Sequence, residues 1–467
     1  MSKMIRKIAT FVVTFLLVVV PTVTSWAATL FNLRTGNYND NARLVLNTEG
    51  LPRYAAKITG NKLVLDFHAK IKNKEFAQAK DGFIKSAVLE PRGSSKSRLT
   101  VTFAKAVPQY KVFTLKNPTR LVFDFKRPQP SKQIIKVAEG VTYTGWTDKV
   151  GTATVRAYLL TIAPNKDYLV KPILGQNQRI HKGVLSQMVQ RSGALAGINA
   201  SYFDSEVWVI GNLKLDGKWL STEETPRTAL VVDDKGQAAI VSDLAYAGQV
   251  IAPDGTTSRI TGMNRERLTN DLIYYNNAYD VTTETNAHGV EVWIDKDRVL
   301  KKAATGKMEI PSSGFVLSGH GTQAEFLNKL QLGDRVTLQQ SLQNALADAA
   351  PQVIGAGPLL VYDGRVAVHS AKEEIAADIS NGRAPRTAVG IKKDGTMMFL
   401  VVDGRSANST GLTLTELAVL LIRQGANTAM NFDGGGSSEM TIGGQVMNTP
   451  SDGDERVIRV GLGVFRR

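Results

Sequence analysis

Residues Asn431–Met440 read NFDGGGSSEM, a single acid followed by three glycines and two hydroxyls. Glycine loses more backbone freedom on folding than any other residue. Three in a row therefore mark a tight turn, or a place where something must approach the main chain. The preceding NTAMNFD (Asn427–Asp433) is apolar enough to be a buried strand, and EMTIGGQVMN beyond the serines reads as a hairpin turning at Gly443-Gly444. Asp433 thus ends a strand and opens onto a loop without side chains. The amides of Gly434, Gly435 and Gly436 can form an anion-binding nest there, with Ser437 and Ser438 behind it. A Walker-type phosphate loop needs a following helix and a Gly-Lys-Ser/Thr ending, and a dinucleotide fingerprint needs the same helix. Neither is present.

Other polar groups sit at comparable strand ends. GINASYFD (Gly197–Asp204) places Asn199, Ser201, Tyr202 and Asp204 behind an apolar run, a composition that suits sugar hydroxyls or an Asx-rich turn. The tripeptide Pro-Arg-Thr precedes an apolar strand twice, presenting Arg227 and Arg386 either at a cleft mouth or as strand-end caps. VVDGRSANSTG (Val401–Gly411) adds Asp403 and Arg405 behind another strand, and His320 lies between glycines in LSGHGTQ. No His/Asp/Glu spacing of zincin, finger or EF-hand type occurs, and no Gly-x-Ser-x-Gly elbow. With no cysteine in 467 residues, thiolate chemistry and disulfides are excluded. No metal is required by this pattern, although an Asp cluster leaves room for a divalent ion.

The elements that position these groups fall into two blocks. From Thr29 to about Arg127 short alternating segments predict half-buried strands of a small all-β domain. Two stretches of it, RLVLNTEGLPRYAAKITGNKLVLDF and RLTVTFAKAVPQYKVFTLKNPTRLVFDF, echo one another from Arg-Leu to Asp-Phe, as two similar sheets or one sandwich of two halves would. Residues 128–139, beginning with the proline-rich end of KRPQPSKQ, read as a linker. From residue 140 to 467 strands mix with helices predicted at Gly183–Gly193, Gly321–Asp334 and Thr413–Gly425, the last with capping-box spacing between Thr413 and Glu416. The expected fold class is α+β: a mixed or antiparallel sheet with helices, preceded by the small β domain.

Lys3, Arg6 and Lys7 precede the apolar run Ile8–Val20, and Ser25-Trp26-Ala27 offers a cleavage site, so residues 1–27 read as a secretory signal peptide. The expected location is exported: periplasmic, cell-wall or extracellular, with no membrane span after cleavage. The formal net charge of +15 favours anionic wall polymers, lipid head groups or phosphorylated glycans. The charges are scattered and no basic helix appears, which argues against nucleic acid.

The run PRTAVGIKKDGTMMFLVVDGRS…GLTLTELAVLLIRQGANTAMNFDGGGSSEM…VMNTPSDGDERVIRVGLGVF strongly resembles the phosphodiester glycosidases, the family of the lysosomal uncovering enzyme, which removes N-acetylglucosamine from a phosphodiester on mannose. GINASYFD, VLSGHG with LQLGD, and VIGAGPLLVYDGRV (Val353–Val366) match in order, so the resemblance runs from roughly Gly140 to Arg467. Phe432 and Glu439 stand where the usual pattern has Leu and Thr, and NASYFD lacks the usual double glycine before Phe203. The ending NPTRLVFDFKRP (Asn117–Pro128) is similar to the AMIN domain, a β-rich module that helps place periplasmic wall enzymes on peptidoglycan.

The resemblance implies a hydrolase cleaving a sugar-1-phosphodiester in a wall or extracellular glycan. The phosphate leaving group is a weak base, so the enzyme must chiefly hold the phosphate and stabilise charge at the sugar. The roles expected are Arg386 and the Gly434–Gly436 amides on phosphate, with Arg227 or Arg405 as a second clamp. Asp433 would stabilise the sugar centre or activate water, with Asp204 or Asp403 as its partner. Asn199, Asn431 and Ser437 would orient hydroxyls, beside Ser438. A metal-dependent phosphodiesterase cleaving P–O and a non-catalytic wall-glycan-binding protein are the competing readings.

Overall fold

The computed structural model describes residues 28–38, 41–78, 82–127, 132–164, 167–176, 179–204 and 209–467. The signal-peptide reading, residues 1–27, lies outside the described residues, as does 128–131 of the expected linker. The remainder of that linker is not a tether: Lys132–Ala138 is a strand paired antiparallel with Val141–Val150. The chain divides into two compact units, the first ending at residue 129 and the second beginning at 130.

The first unit is a sandwich of two five-stranded sheets. One orders its strands Ala69–Ile71, Ala28–Tyr38, Asn41–Glu49, Arg120–Lys126, Tyr110–Leu115. The other orders them Tyr54–Thr59, Lys62–Phe67, Ser97–Phe103, Ile84–Pro91, Glu75–Ala77. Alternate residues, among them Leu44, Leu46, Leu63, Leu65, Leu99, Val101, Phe123 and Phe125, point into one shared core. The internal echo maps onto this sandwich with an exchange: each copy gives its first strand to one sheet and its next two to the other. Arg43 of the first copy forms a two-pronged ion pair with Asp124 of the second, at 2.7 and 2.7 Å. Arg98 of the second copy does the same with Asp66 of the first, at 2.7 and 2.8 Å.

The second unit is built around an antiparallel eight-stranded sheet. In order its strands are Lys132–Ala138, Val141–Val150, Ala153–Ile162, Met397–Val402, Arg386–Ile391, Thr428–Asn431, Leu359–Tyr362 and Arg365–Val366. MMFLVV (Met397–Val402) is apolar throughout because both its faces are covered. Met397, Phe399 and Val401 meet the core shared with a five-stranded sheet of Tyr168–Leu174, Val460–Arg466, Ala196–Asn199, Met440–Ile442 and Gln445–Val446. Met398, Leu400 and Val402 meet Leu414, Leu417, Leu420 and Leu421 of the helix Leu414–Arg423. That helix begins with the Thr413–Glu416 capping box the spacing predicts. A third sheet carries Arg227–Val232, whose Leu230 and Val232 face the first core while Ala229 and Val231 face a second one containing Val292, Ile294, Leu317 and Leu327.

The α+β expectation is overturned. The molecule is 50% strand and 9% helix. Helices do form at the three expected places, Leu185–Ser192, Thr322–Lys329 and Leu414–Arg423, but each is short and lies on or beside sheets that do the structural work. The amphipathic runs were legible. The many strands of two to five residues between them carry too few residues to show a period of two. Among the described residues no helix is long and apolar enough to cross a membrane.

Candidate active site

Strand direction gathers the main candidates. Met397–Val402 and Thr428–Asn431 both run antiparallel to Arg386–Ile391, which lies between them, so they run parallel to one another. Their C-terminal ends, leading to Asp403 and Asp433, therefore share one edge of the sheet with the N-terminal end of the central strand, Arg386. The two acid-bearing strands are two spacings apart, about 10 Å between backbones.

Asp433 begins a loop whose glycines are explained one by one. Gly434 lets the Pro385 carbonyl approach, since a Cβ would stand 3.0 Å from that oxygen. Gly435 has φ +60°, a left-handed conformation costly to other residues, and a Cβ there would stand 3.2 Å from Arg405 Nη2. A Cβ on Gly436 would collide with Arg456 Nη2 and Asp452 Oδ2. What approaches the backbone is thus the protein's own arginines. The nest is narrower than three amides: the Gly434 N–H donates to Asp433 Oδ1 (2.8 Å) and the Gly435 N–H to the Pro385 carbonyl (2.9 Å). The amide of Gly436 remains.

Burial pushes the Asp433 carboxyl up to about 6, opposed by the Ser437 hydroxyl, the Gly434 N–H and the Arg456 charge. Ser437 lies close enough to act on Asp433, yet its hydroxyl makes no well-formed hydrogen bond within the protein. Asp403 is 3% exposed and is likewise pushed up to about 6 by burial, against the pull of its hydrogen bonds. Tyr158 OH donates to its Oδ2 (2.7 Å), and Asn448 Nδ2 (3.2 Å) and Thr449 N–H (3.1 Å) donate to its Oδ1. Asn448 Nδ2 also donates to the Ser438 carbonyl (2.9 Å), tying Asp403 to the glycine loop.

The expected hydroxyl-orienting asparagines are instead buried braces. Asn199 Nδ2 donates to the Asp433 carbonyl (2.6 Å), while its Oδ1 accepts from Thr387 Oγ1 (2.7 Å) and the Glu439 N–H (3.1 Å). Asn431 Nδ2 contacts Tyr202 OH (2.8 Å) and the Phe432 carbonyl (2.6 Å). Tyr202 is buried, its hydroxyl donating to the Gly357 carbonyl (2.8 Å). Asp433, Arg386 and Arg227 all act on its hydroxyl, which marks these charges as neighbours.

The arginines divide by exposure. Arg386, 1% exposed, spends its guanidinium on the carbonyls of Leu412 (2.8 Å), Ile379 (2.8 Å) and Gly382 (3.0 Å). Burial and the nearby Arg405 charge lower its pKa. It is a brace with an uncompensated positive charge beneath the loop, not the open clamp expected. Arg227 is tied to the carbonyls of Glu373 (3.2 Å) and Glu374 (3.4 Å). Arg405 is exposed, with φ +57°, and lies over Gly435 without a hydrogen bond or ion pair among the described residues. The Asp204 charge acts on the buried Arg459. His320 follows the strand Phe315–Gly319, and its Nδ1 accepts from the Asn270 N–H (3.3 Å).

Six buried polar atoms around the loop lack a hydrogen-bond partner among the described residues: Ser201 Oγ, Asn431 Oδ1, Ser437 Oγ, Ser438 Oγ, Glu439 Oε1 and Thr441 Oγ1. Buried polar groups are ordinarily satisfied, so such a concentration marks hydrogen-bonding capacity that water or a ligand completes. Among the described residues no three His, Asp or Glu side chains gather as a metal site, and both Asp403 oxygens already accept hydrogen bonds. The sequence reading missed Tyr158, Thr387, Asn448, Thr449, Asp452 and Arg456. The last four sit in an irregular segment whose only signal was its proximity in sequence to the strand Val460–Arg466.

A solved structure of a hypothetical protein from Synechocystis aligns over 94% of this chain and 81% of its own, with a TM-score of 0.67 at 21% identity, which shows a shared fold. The prophage-derived uncharacterized protein YomE of Bacillus subtilis is 28% identical over 204 residues, 44% of this chain and 29% of that protein. N-acetylglucosamine-1-phosphodiester alpha-N-acetylglucosaminidase of Bos taurus is 40% identical over 67 residues, 14% of this chain and 12% of the relative. The chain therefore spans less than a third of the length of either. Residues 288–465, which include Arg386, Asp403, Arg405 and the whole Asp433 loop, match the family model of the phosphodiester glycosidases.

Proposed function

We propose that this protein hydrolyses a sugar linked through its anomeric carbon to a phosphodiester, and that Asp433 is the reacting carboxylate. The observation that carries this reading is one juxtaposition: a desolvated carboxyl, Asp433, opens a glycine loop against which the exposed Arg405 lies at Gly435, with no hydrogen bond or ion pair among the described residues. The buried Arg386, whose guanidinium is bonded to three backbone carbonyls, adds positive potential below. Arg405 and the Gly436 amide hold the phosphate, two charge-assisted contacts suited to an oxyanion. The departing phosphate monoester needs little protonation, so one carboxylate at the sugar is enough to stabilise the oxocarbenium-like centre or activate water. Asp403, sealed by Tyr158, Asn448 and Thr449, positions the loop and does not touch the sugar. The anchoring of the enzyme to an anionic wall polymer or peptidoglycan through the N-terminal sandwich, in an exported setting, belongs to the same proposal.

Turnover of a panel of sugar-1-phosphodiesters in oxygen-18 water tests it. Label in the sugar is the expected result, and label in the phosphate would show P–O cleavage instead. Asp433→Asn should lower turnover at least about 100-fold, the scale of a lost acid–base or charge-stabilising group. Unchanged turnover would remove Asp433 from the reaction. Failure of the purified protein to cleave any diester, with or without divalent metal, would favour the binding-protein reading.

A further inference from the structure

A cavity of about 480 Å³, a size common among small-molecule sites, is lined by none of the groups given to the reaction above. Three segments far apart in sequence meet around it: His181 and Lys182, then Tyr279, Asp280 and Glu284, then Arg459. Hydrogen bonds tie these segments to one another. The Ile180 N–H donates to the Ala278 carbonyl (3.0 Å), His181 Nε2 contacts the Tyr279 carbonyl (3.1 Å), and Arg179 Nη1 donates to Asp280 Oδ1 (3.2 Å). Arg459 is fixed at both ends: its carbonyl accepts from the Gly175 N–H (3.0 Å), and its Nη1 donates to the Ile180 carbonyl (3.1 Å). The walls are therefore held in place without a ligand, which lowers the ordering cost of binding one.

What the walls leave over defines the ligand. Arg459 is 3% exposed, and the bond from Nη1 is its one side-chain hydrogen bond among the described residues; its Nε is buried without a partner. The charge of Asp204 acts on it. A buried guanidinium with unused N–H groups is costly, and an oxyanion is the group that completes it. Asp280, the nearest acid on the lining to compete, already accepts from Arg179 and from the Val281 N–H (2.7 Å). His181 Nε2 faces two acceptors, the Tyr279 carbonyl and Asp280 Oδ2 at 3.4 Å, so Nε2 carries the hydrogen and Nδ1 is left to accept one. Glu284 adds further acceptor oxygens to the lining, and the exposed Lys182 adds a second positive charge. Acceptors of this kind serve hydroxyl groups.

We propose that this cavity is a second binding site, for a hydroxylated oxyanion such as a sugar phosphate or a sugar acid, with the anion on Arg459 and hydroxyls on His181 Nδ1 and Glu284. It uses none of Asp433, Arg405 and Gly436. It therefore stands or falls separately from the hydrolase reading, and binding here is unaffected by whether a diester is cleaved.

The chain has five histidines, so the ring resonances of His181 can be assigned in histidine-labelled protein with a single His181→Gln variant. Titration of the full chain with glucose 6-phosphate, glucuronate and glucose, followed at those resonances, tests the site. One or both anions should shift His181 saturably, and neutral glucose should bind at least about tenfold more weakly, the scale of a lost charged hydrogen bond. A response to the phosphate alone identifies a phosphorylated glycan as the ligand, and a response to glucuronate alone an acidic one. Arg459→Gln should weaken the anions by about tenfold or more and leave glucose unchanged. Asp433→Asn should bind as the wild type does. Silence of His181 toward all three probes, equal affinity for glucose and the anions, or undiminished anion binding in Arg459→Gln would each overturn the proposal. Loss of the response in Asp433→Asn would do the same, by placing the anion in the reaction site. Should Arg459→Gln fail to fold, Lys182→Glu at the exposed lining takes its place. It should weaken both anions several-fold but not glucose, and equal anion binding in that variant would overturn the proposal.

Discussion

Replacing Asp403 by Asn should change stability in a pH-dependent way that reports directly on the buried carboxyl. Asn is nearly isosteric: its Oδ1 still accepts from Asn448 and Thr449, and its amide can donate to the Tyr158 oxygen. What disappears is the ionisation. In the fold the Asp403 carboxyl titrates near 6, against 3.8 without its surroundings. A raised carboxyl pKa means that the folded state disfavours the charge, so stability declines as pH rises from the unfolded value through the folded one. By linkage the cost is about 1.6 kcal/mol at pH 5 and about 3 kcal/mol at pH 8, a difference of about 1.4 kcal/mol. Any packing change on going to Asn is the same at both values and cancels. Urea unfolding of wild type and Asp403→Asn at pH 5 and pH 8 should therefore show the variant gaining about 1.4 kcal/mol on the wild type between the two. A pH-independent difference would refute a desolvated Asp403. A gain for the wild type at pH 8 would mean that the carboxylate is stabilised in the fold, with the nearby Arg156 charge outweighing burial.

Turnover should climb as pH rises through about 6, because the Asp433 carboxylate is the active form; a pH–rate profile flat from 5 to 7 would exclude it. Arg405→Ala should cost less than about 0.5 kcal/mol in thermal or urea unfolding yet sharply raise KM for a phosphodiester, since the side chain is exposed and unpaired. Arg386→Ala should instead destabilise by about 3 kcal/mol or more, because it strands three carbonyls in the interior. Gly436→Ala should expel the Arg456–Asp452 pair from the loop, seen as trypsin cleavage at Arg456 that the wild type resists.

Much of the site was legible because strand-end acids and glycine runs are local features. Asp433, Asp403 and Arg405 stand at one sheet edge, as their positions behind apolar runs implied. The partners of these side chains were not legible. Whether an Arg such as Arg386 points outward or spends itself on carbonyls depends on loops 26 and 7 residues away in sequence, at Leu412 and Ile379. Asn199 looked like a ligand-binding amide, but its side-chain amide is consumed by Asp433, Thr387 and Glu439, all of them more than 180 residues distant. Asn448 and Thr449 sit in a segment without periodicity, so nothing in it announced that they hold Asp403. In the fold, the apolar run MMFLVV marks a strand but not its two-sided burial, and a two-residue strand such as Tyr202–Phe203 is too short to show a period of two.

The exchanged ion pairs of the N-terminal sandwich carry a further implication. Arg43 and Asp66 belong to one copy of the echo, and their partners Asp124 and Arg98 belong to the other, so neither copy closes its own charges. Each copy also splits its strands between the two sheets, leaving half of a core on either side. Neither half can therefore complete a sheet or a core without the other, so the sandwich must form as one cooperative unit, and the Arg43–Asp124 and Arg98–Asp66 pairs close only when both halves are in place.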